Sequence, residues 1–96
     1  MHYRITKVHH EQGKRDDIIA YLKTKNEDIK SIEGLQSVRI IAISETESIA
    51  ISKYENEQQL TMAEEKFKEI MVGMMPFMTA PPEVHNGDEC WSMKKL

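Results

Sequence analysis

The chain has one cysteine, Cys90, so an intrachain disulfide framework is excluded, and a reduced, cytoplasmic setting is the expectation. No stretch approaches the roughly 18 consecutive apolar residues of a membrane-spanning helix. The opening "MHYRITKVHHEQG" is polar and interrupted, unlike the apolar core of a signal peptide. The net charge is −3, and the 13 Lys and Arg are scattered, so the basic patch that marks a phosphate-backbone partner is missing. Neither nucleic acid nor a membrane is expected as a partner. Gly-rich phosphate loops, HExxH or CxxC spacings and a Ser-His-Asp order are missing as well.

The composition that remains is 40% hydrophobic and 30% charged, which is that of a globular chain. Residues 1–96 are read as one small domain. A chain of this size buries only about 60–70% of its unfolded surface, which favours association with a second copy.

Along the chain, "HYRITKV" (2–8) reads as a strand. In the stretch that follows, Ile18, Leu22, Ile29 and Ile32 share one helical face, Asp16 and Asp17 suit its start, and Gly34 its stop. "LQSVRIIAIS" (35–44) is β-branched and apolar on both alternating faces, so both should be covered. After the turn "ETES", "IAISKYE" (49–55) returns as a hairpin partner. Asn56 is placed to cap a second helix, and Leu60, Ala63, Phe67, Ile70, Met71 and Met74 form its apolar stripe. "GDECWSMK" (87–94) reads as a closing strand, with Cys90 and Trp91 on its opposite faces. The order βαββαβ is the ferredoxin-like split βαβ: an α+β fold with a four-stranded antiparallel sheet and both helices on one side. The face left bare is expected to meet the same sheet of a second copy.

Four segments carry a resemblance: the loop "EQGKRDD" (11–17), the helix end and strand "IEGLQSVRI" (32–40), the strand end and helix start "ISKYENEQQL" (51–60), and the loop and last strand "MPFMTAPPEVHNGDECW" (75–91). Together they resemble the antibiotic-biosynthesis-monooxygenase-like proteins of the dimeric α/β-barrel superfamily. That resemblance implies a homodimer with sheets facing inside a barrel, and a ligand cleft between each sheet and its own helices. Some members oxidise aromatic polyketides with dioxygen and neither metal nor flavin, so no cofactor is expected. Others bind or degrade haem, isomerise lactones, or have no assigned activity. Haem-degrading members carry an Asn on the first strand and a Trp and a His on the second helix. Residues 2–8 contain no Asn and residues 57–75 neither Trp nor His, which disfavours haem degradation.

Candidate chemistry is sparse. Met71, Met74, Met75 and Met78 fall at i, i+3, i+4 and i+7, and Pro76 would bend a helix that ran through them. They are a gap-filling core stripe, the wall of an adaptable organic-ligand cleft, or, least in keeping with their spacing, a thioether copper site. His85 with Asp88, Glu89 and Cys90 lacks metal-ligand order, and no metal site is assigned. His85 is credible as a proton acceptor beside a cleft. Arg4 and Arg39 fall within strands, where a buried guanidinium must be ion-paired or bind an anion. The paired carboxylates Asp16-Asp17, Glu27-Asp28 and Glu64-Glu65 sit among lysines and read as solvated faces.

The function expected is a cofactor-independent monooxygenase-like protein acting on an aromatic or conjugated small molecule. Tyr54, Phe67, Met71, Met74, Met75, Phe77 and Trp91 are its candidate cleft walls, and His85 and Arg39 its candidate catalytic residues. The alternative is a non-catalytic dimeric domain, stress-associated or ligand-binding, whose apolar residues make core and interface.

Overall fold

The computed structural model describes residues 1–95. Strand β1 (His2–His9) is followed by helices α1 (Arg15–Thr24) and α2 (Asn26–Lys30), then by β2 (Leu35–Ser44) and β3 (Glu47–Tyr54). Helices α3 (Glu57–Met62) and α4 (Glu64–Met74), a 3-10 turn (Met75–Phe77) and β4 (Glu83–Asp88) complete the chain. The strands lie in the order β2-β3-β1-β4, all neighbours antiparallel. This is the ferredoxin-like sheet expected from βαββαβ, with each helix in two pieces.

The breaks are local. Lys25 (φ −101°, ψ 7°) separates α1 from α2, and Ala63 (φ −85°, ψ 0°) separates α3 from α4. The apolar stripes survive them: Ile18, Leu60, Ala63 and Met74 are buried, and Leu22, Ile29, Ile32, Phe67, Ile70 and Met71 are half-buried. Asn56 caps α3 as expected, its Oδ1 accepting from the Gln59 backbone N–H at 2.9 Å. Gly34 takes φ +82°, the left-handed conformation that ends a helix without a Cβ penalty.

Strand β1 turns its even residues toward the helices. His2, Arg4, Thr6, Val8 and, one residue past the strand, His10 are all buried, so four of five inward positions are polar. Each of three has a partner. His2 Nδ1 lies 3.3 Å from Asp88 Oδ1 on β4, and Arg4 reaches Glu64 on α4. His10 Nδ1 faces the Glu11 carbonyl at 2.9 Å, which can only accept, so that nitrogen carries the proton. Nε2 and Ser48 Oγ share a hydrogen bond at 2.9 Å, and Ser48 Oγ accepts from Arg15 Nε at 2.8 Å. Arg15 also donates to the Ser44 and Glu47 carbonyls, tying the start of α1 to the β2-β3 hairpin.

The closing strand lies upstream of its expected place. It is Glu83–Asp88, not 87–94, so Cys90 and Trp91 lie beyond it and do not alternate across the sheet. The reason is register: Asp88 pairs with His2, and the Glu89 N–H reaches the Met1 carbonyl at 2.8 Å. Past that point β1 offers nothing to pair with.

Helices α1 and α4 meet closely at Gly73, where an added Cβ would run into the Tyr21 ring and hydroxyl. Tyr21 is held there by its hydroxyl donating to the Ile70 carbonyl at 2.9 Å. Overpacking of this kind costs about 1–3 kcal/mol. Gly73→Ala should lower unfolding stability by that amount, read from the urea midpoint at unchanged slope; an unaltered midpoint would contradict the packing described.

Candidate functional site

Between the sheet and its helices lies a cavity of about 70 Å³. Its floor is Thr6, Val38, Ile40, Ala50, Ser52 and Tyr54 from the sheet, and its roof is apolar side chains of all four helical segments except the short α3. A second void, an open groove of about 630 Å³, runs between α4 and residues 78–82. Phe67 and Met71 line both, so these two side chains form the partition. Pockets for drug-sized ligands measure roughly 300–1,000 Å³, so the inner cavity takes such a molecule only if the partition moves. Met71 is unbranched and adaptable, which suits it to moving.

Of the expected walls, Tyr54, Phe67, Met71 and Met74 line the inner cavity. Met75, with Met71 and Met78, lines the outer groove. The helix ends at Met74 and tightens into the 3-10 turn containing Pro76, so the four methionines do not share one face. Phe77 walls neither void. It packs on the Val8–Ile18–Met74 cluster, its ring centroid 6.3 Å from that of Tyr21. Trp91 is not a wall either: it lies past β4 and is 77% exposed.

The two candidate catalytic residues are not brought to the cavity. Arg39 pairs with Ile51, and His85 with Ile5, at register positions on the opposite face of the sheet. Both side chains are exposed there. That face carries Ile5, Ile41, Ile49 and Ile51 at its centre, with Ile5 and Ile41 40% and 42% exposed. The expectation that both faces of β2 are covered is not met within one chain: the helix side is covered only in part, with Leu35 and Ile40 half-buried and Val38 39% exposed, and the other face is open.

The open face also holds an ionic row. Lys7 Nζ is 3.0 Å from Glu47 Oε2, and His9 Nε2 is 2.7 Å from Glu83 Oε2. The hydrogen bond and charge of Lys7 hold the Glu47 carboxyl below its ordinary range, and the His9 hydrogen bond does the same for Glu83. A depressed folded-state value gives stability that is present above the unfolded value and lost as pH falls through the folded one. Thermal stability should therefore drop on acidification from about pH 6 to about pH 3, and a Glu47→Gln/Glu83→Gln double variant should show a flatter profile in calorimetry. An identical slope would remove these pairs from the acid response.

The charged group behind the cavity wall is Arg4, which packs against the lining residues Phe67 and Tyr54. It is 1% exposed, and its Nη2 donates to Glu64 Oε2 at 2.7 Å and to the Leu60 carbonyl at 3.3 Å. Its Cζ lies 3.9 Å from the Phe67 ring centroid and 5.6 Å from that of Tyr54. Nε and Nη1 are buried without an acceptor among the described residues. Each such group costs about 1–3 kcal/mol, so the fold tolerates a considerable penalty there. Burial raises the Tyr54 phenol above its ordinary value, against the opposing pull of Arg4, so at neutral pH it is an O–H donor. Periodicity could not rank Arg4 above Arg39; what separates them is the face each takes, Arg4 toward the helices and Arg39 onto the open side of the sheet.

Among the described residues no group of three or more His, Cys, Asp or Glu is placed to hold a metal ion. No helix is long and apolar enough to cross a membrane.

No family model and no curated protein matches the chain. Solved structures do. A monooxygenase from the gene ActVA-Orf6 of Streptomyces coelicolor, in complex with nanaomycin D, superposes with a TM-score of 0.80 at 14% identity, covering 99% of this chain and 92% of that one. The chain has the antibiotic biosynthesis monooxygenase fold. A further antibiotic biosynthesis monooxygenase matches at TM-score 0.72 and 12% identity, over 93% of this chain and 98% of its own. A protein of unknown function from Nitrosomonas europaea matches at 0.75 and 8%, over 99% and 94%. The antibiotic biosynthesis monooxygenase fold is thus shared by chains with and without an assigned activity, and the activity of this one has to come from its own residues.

Proposed function

We propose that the protein takes a flat, conjugated small molecule into the cleft between its sheet and helices and oxidises it with dioxygen without a cofactor. The observation that carries this reading is the pair of adjoining apolar voids divided by Phe67 and Met71, with Arg4 and the protonated Tyr54 phenol beside the inner one. The likeness to a monooxygenase solved with nanaomycin D supports it. Chemistry of this kind draws its electrons from the substrate, so one oxygen atom enters the ring and the other leaves as water. The protein contributes a dry site, orientation and stabilisation of the substrate anion.

Oxygen consumption with a panel of hydroquinones and polyphenols tests the reading. Wild type should turn over at least one, and Phe67→Ala should change kcat/KM for it by about tenfold, since a displaced wall misplaces the substrate. Binding without turnover would leave a ligand-binding domain. The small volume of the inner cavity favours a second reading, a non-catalytic domain whose apolar residues fill core and interface; neither binding nor turnover would leave that one standing.

In both readings the protein works as a homodimer joined through the open sheet face. The isoleucines at its centre and the flanking Lys7–Glu47 and His9–Glu83 pairs give it the apolar middle and polar rim of an interface. Light scattering should give twice the chain mass at micromolar concentration, and Ile51→Glu should give the monomer. A monomeric wild type would defeat this assembly.

A further inference from the structure

A cleft that only required apolar walls would not need Arg4. A guanidinium has five N–H groups. Nη2 uses its two on Glu64 and Leu60, which leaves three on Nε and Nη1, buried and without a protein acceptor among the described residues. The Glu64 carboxylate is 42% exposed, so Arg4 is paired outward with a group at the surface while its other nitrogens stay in the interior. An apolar side chain of similar volume would pack there without unsatisfied donors.

Phe67 links this group to the cleft. Its ring stacks on the guanidinium at 3.9 Å, and the same side chain walls the inner cavity and the outer groove. A ligand that enters from the groove and turns Phe67 aside joins the two voids and uncovers Arg4 in one movement. Tyr54, 5.6 Å from Cζ on the sheet side, already lines the cavity that would receive it.

The geometry points to Arg4 as the recognition residue for an anionic oxygen on the ligand, a carboxylate or a phenolate carried on a planar ring. This assignment rests on the cleft reading given above. In an interior site a charge-assisted hydrogen bond to an ionised oxygen is stronger than one to a neutral oxygen. The free N–H groups therefore discriminate by charge, whereas the apolar walls discriminate by shape. Arg4 also holds an ionisable ring hydroxyl in its anionic form, the form that gives up an electron most readily.

Two probes of one shape separate these contributions: 2-naphthoate and its methyl ester, titrated by calorimetry against the full chain. Wild type should bind the carboxylate at least about tenfold more tightly than the ester, the spread expected of a charge-assisted hydrogen bond. Arg4→Met should bind the ester within about twofold of wild type and lose the preference. Glu64→Gln removes the competing carboxylate at the surface and should widen the preference severalfold. This second variant decides the matter if Arg4→Met does not fold, because an Arg4 serving structure alone predicts no change of preference in Glu64→Gln. Equal binding of the two probes by wild type, or a preference that survives in Arg4→Met, overturns the assignment of Arg4 and leaves the cleft intact. Failure of both probes to bind overturns the cleft as well.

Discussion

The polar inner face of β1 is the constraint on which the remaining architecture hangs. A central strand normally presents apolar residues to its helices, yet here His2, Arg4, Thr6 and His10 are buried beside Val8. Buried polar groups need partners, and the partners come from distant parts of the chain. Asp88 on β4, Glu64 at the start of α4, and Ser48 with Arg15 across the hairpin and α1 answer three of them. Each contact fixes an element that hydrophobic burial alone would place only loosely. The small apolar clusters around Ile18 and Leu60 then pack between these fixed points.

Much of this architecture was legible in the sequence. The strand Leu35–Ser44 has the expected limits because its β-branched run is bounded by Gly34 and a polar turn. The stripe from Leu60 to Met74 faces the sheet because its period is helical and persists through the break at Ala63. The last strand was not legible. "EVHNGD" has no alternation of its own, and it is a strand because the free edge of β1 lies beside it. Strand identity at such an edge belongs to the neighbour, and a local pattern cannot report it. Trp91 would face a cleft only on a strand that ran through it, and β4 ends three residues earlier at Asp88.

The site shows a similar division. Spacing identified the residues that wall the two voids, since wall and core obey the same periodicity. It could not decide between Arg4 and Arg39, because both sit on strands among apolar neighbours. The difference is tertiary: one points beneath the helices of its own chain and the other onto the bare face of the sheet. His85 fails as a cleft residue for the same reason, one step of strand parity.

The antiparallel registers of β1 also bear on how the protein is made. This strand precedes β3 and β4 in the chain but lies between them in the sheet, so its partners follow several tens of residues later. His2 pairs with both Tyr54 and Asp88. Until Glu47–Tyr54 has been synthesised, both edges of β1 stay open and its polar residues stay in water. Contacts of such sequence separation slow folding, because chain entropy is lost before they form. The β2-β3 hairpin closes through local contacts, whereas the strand that organises the finished protein is held only by contacts of long sequence separation.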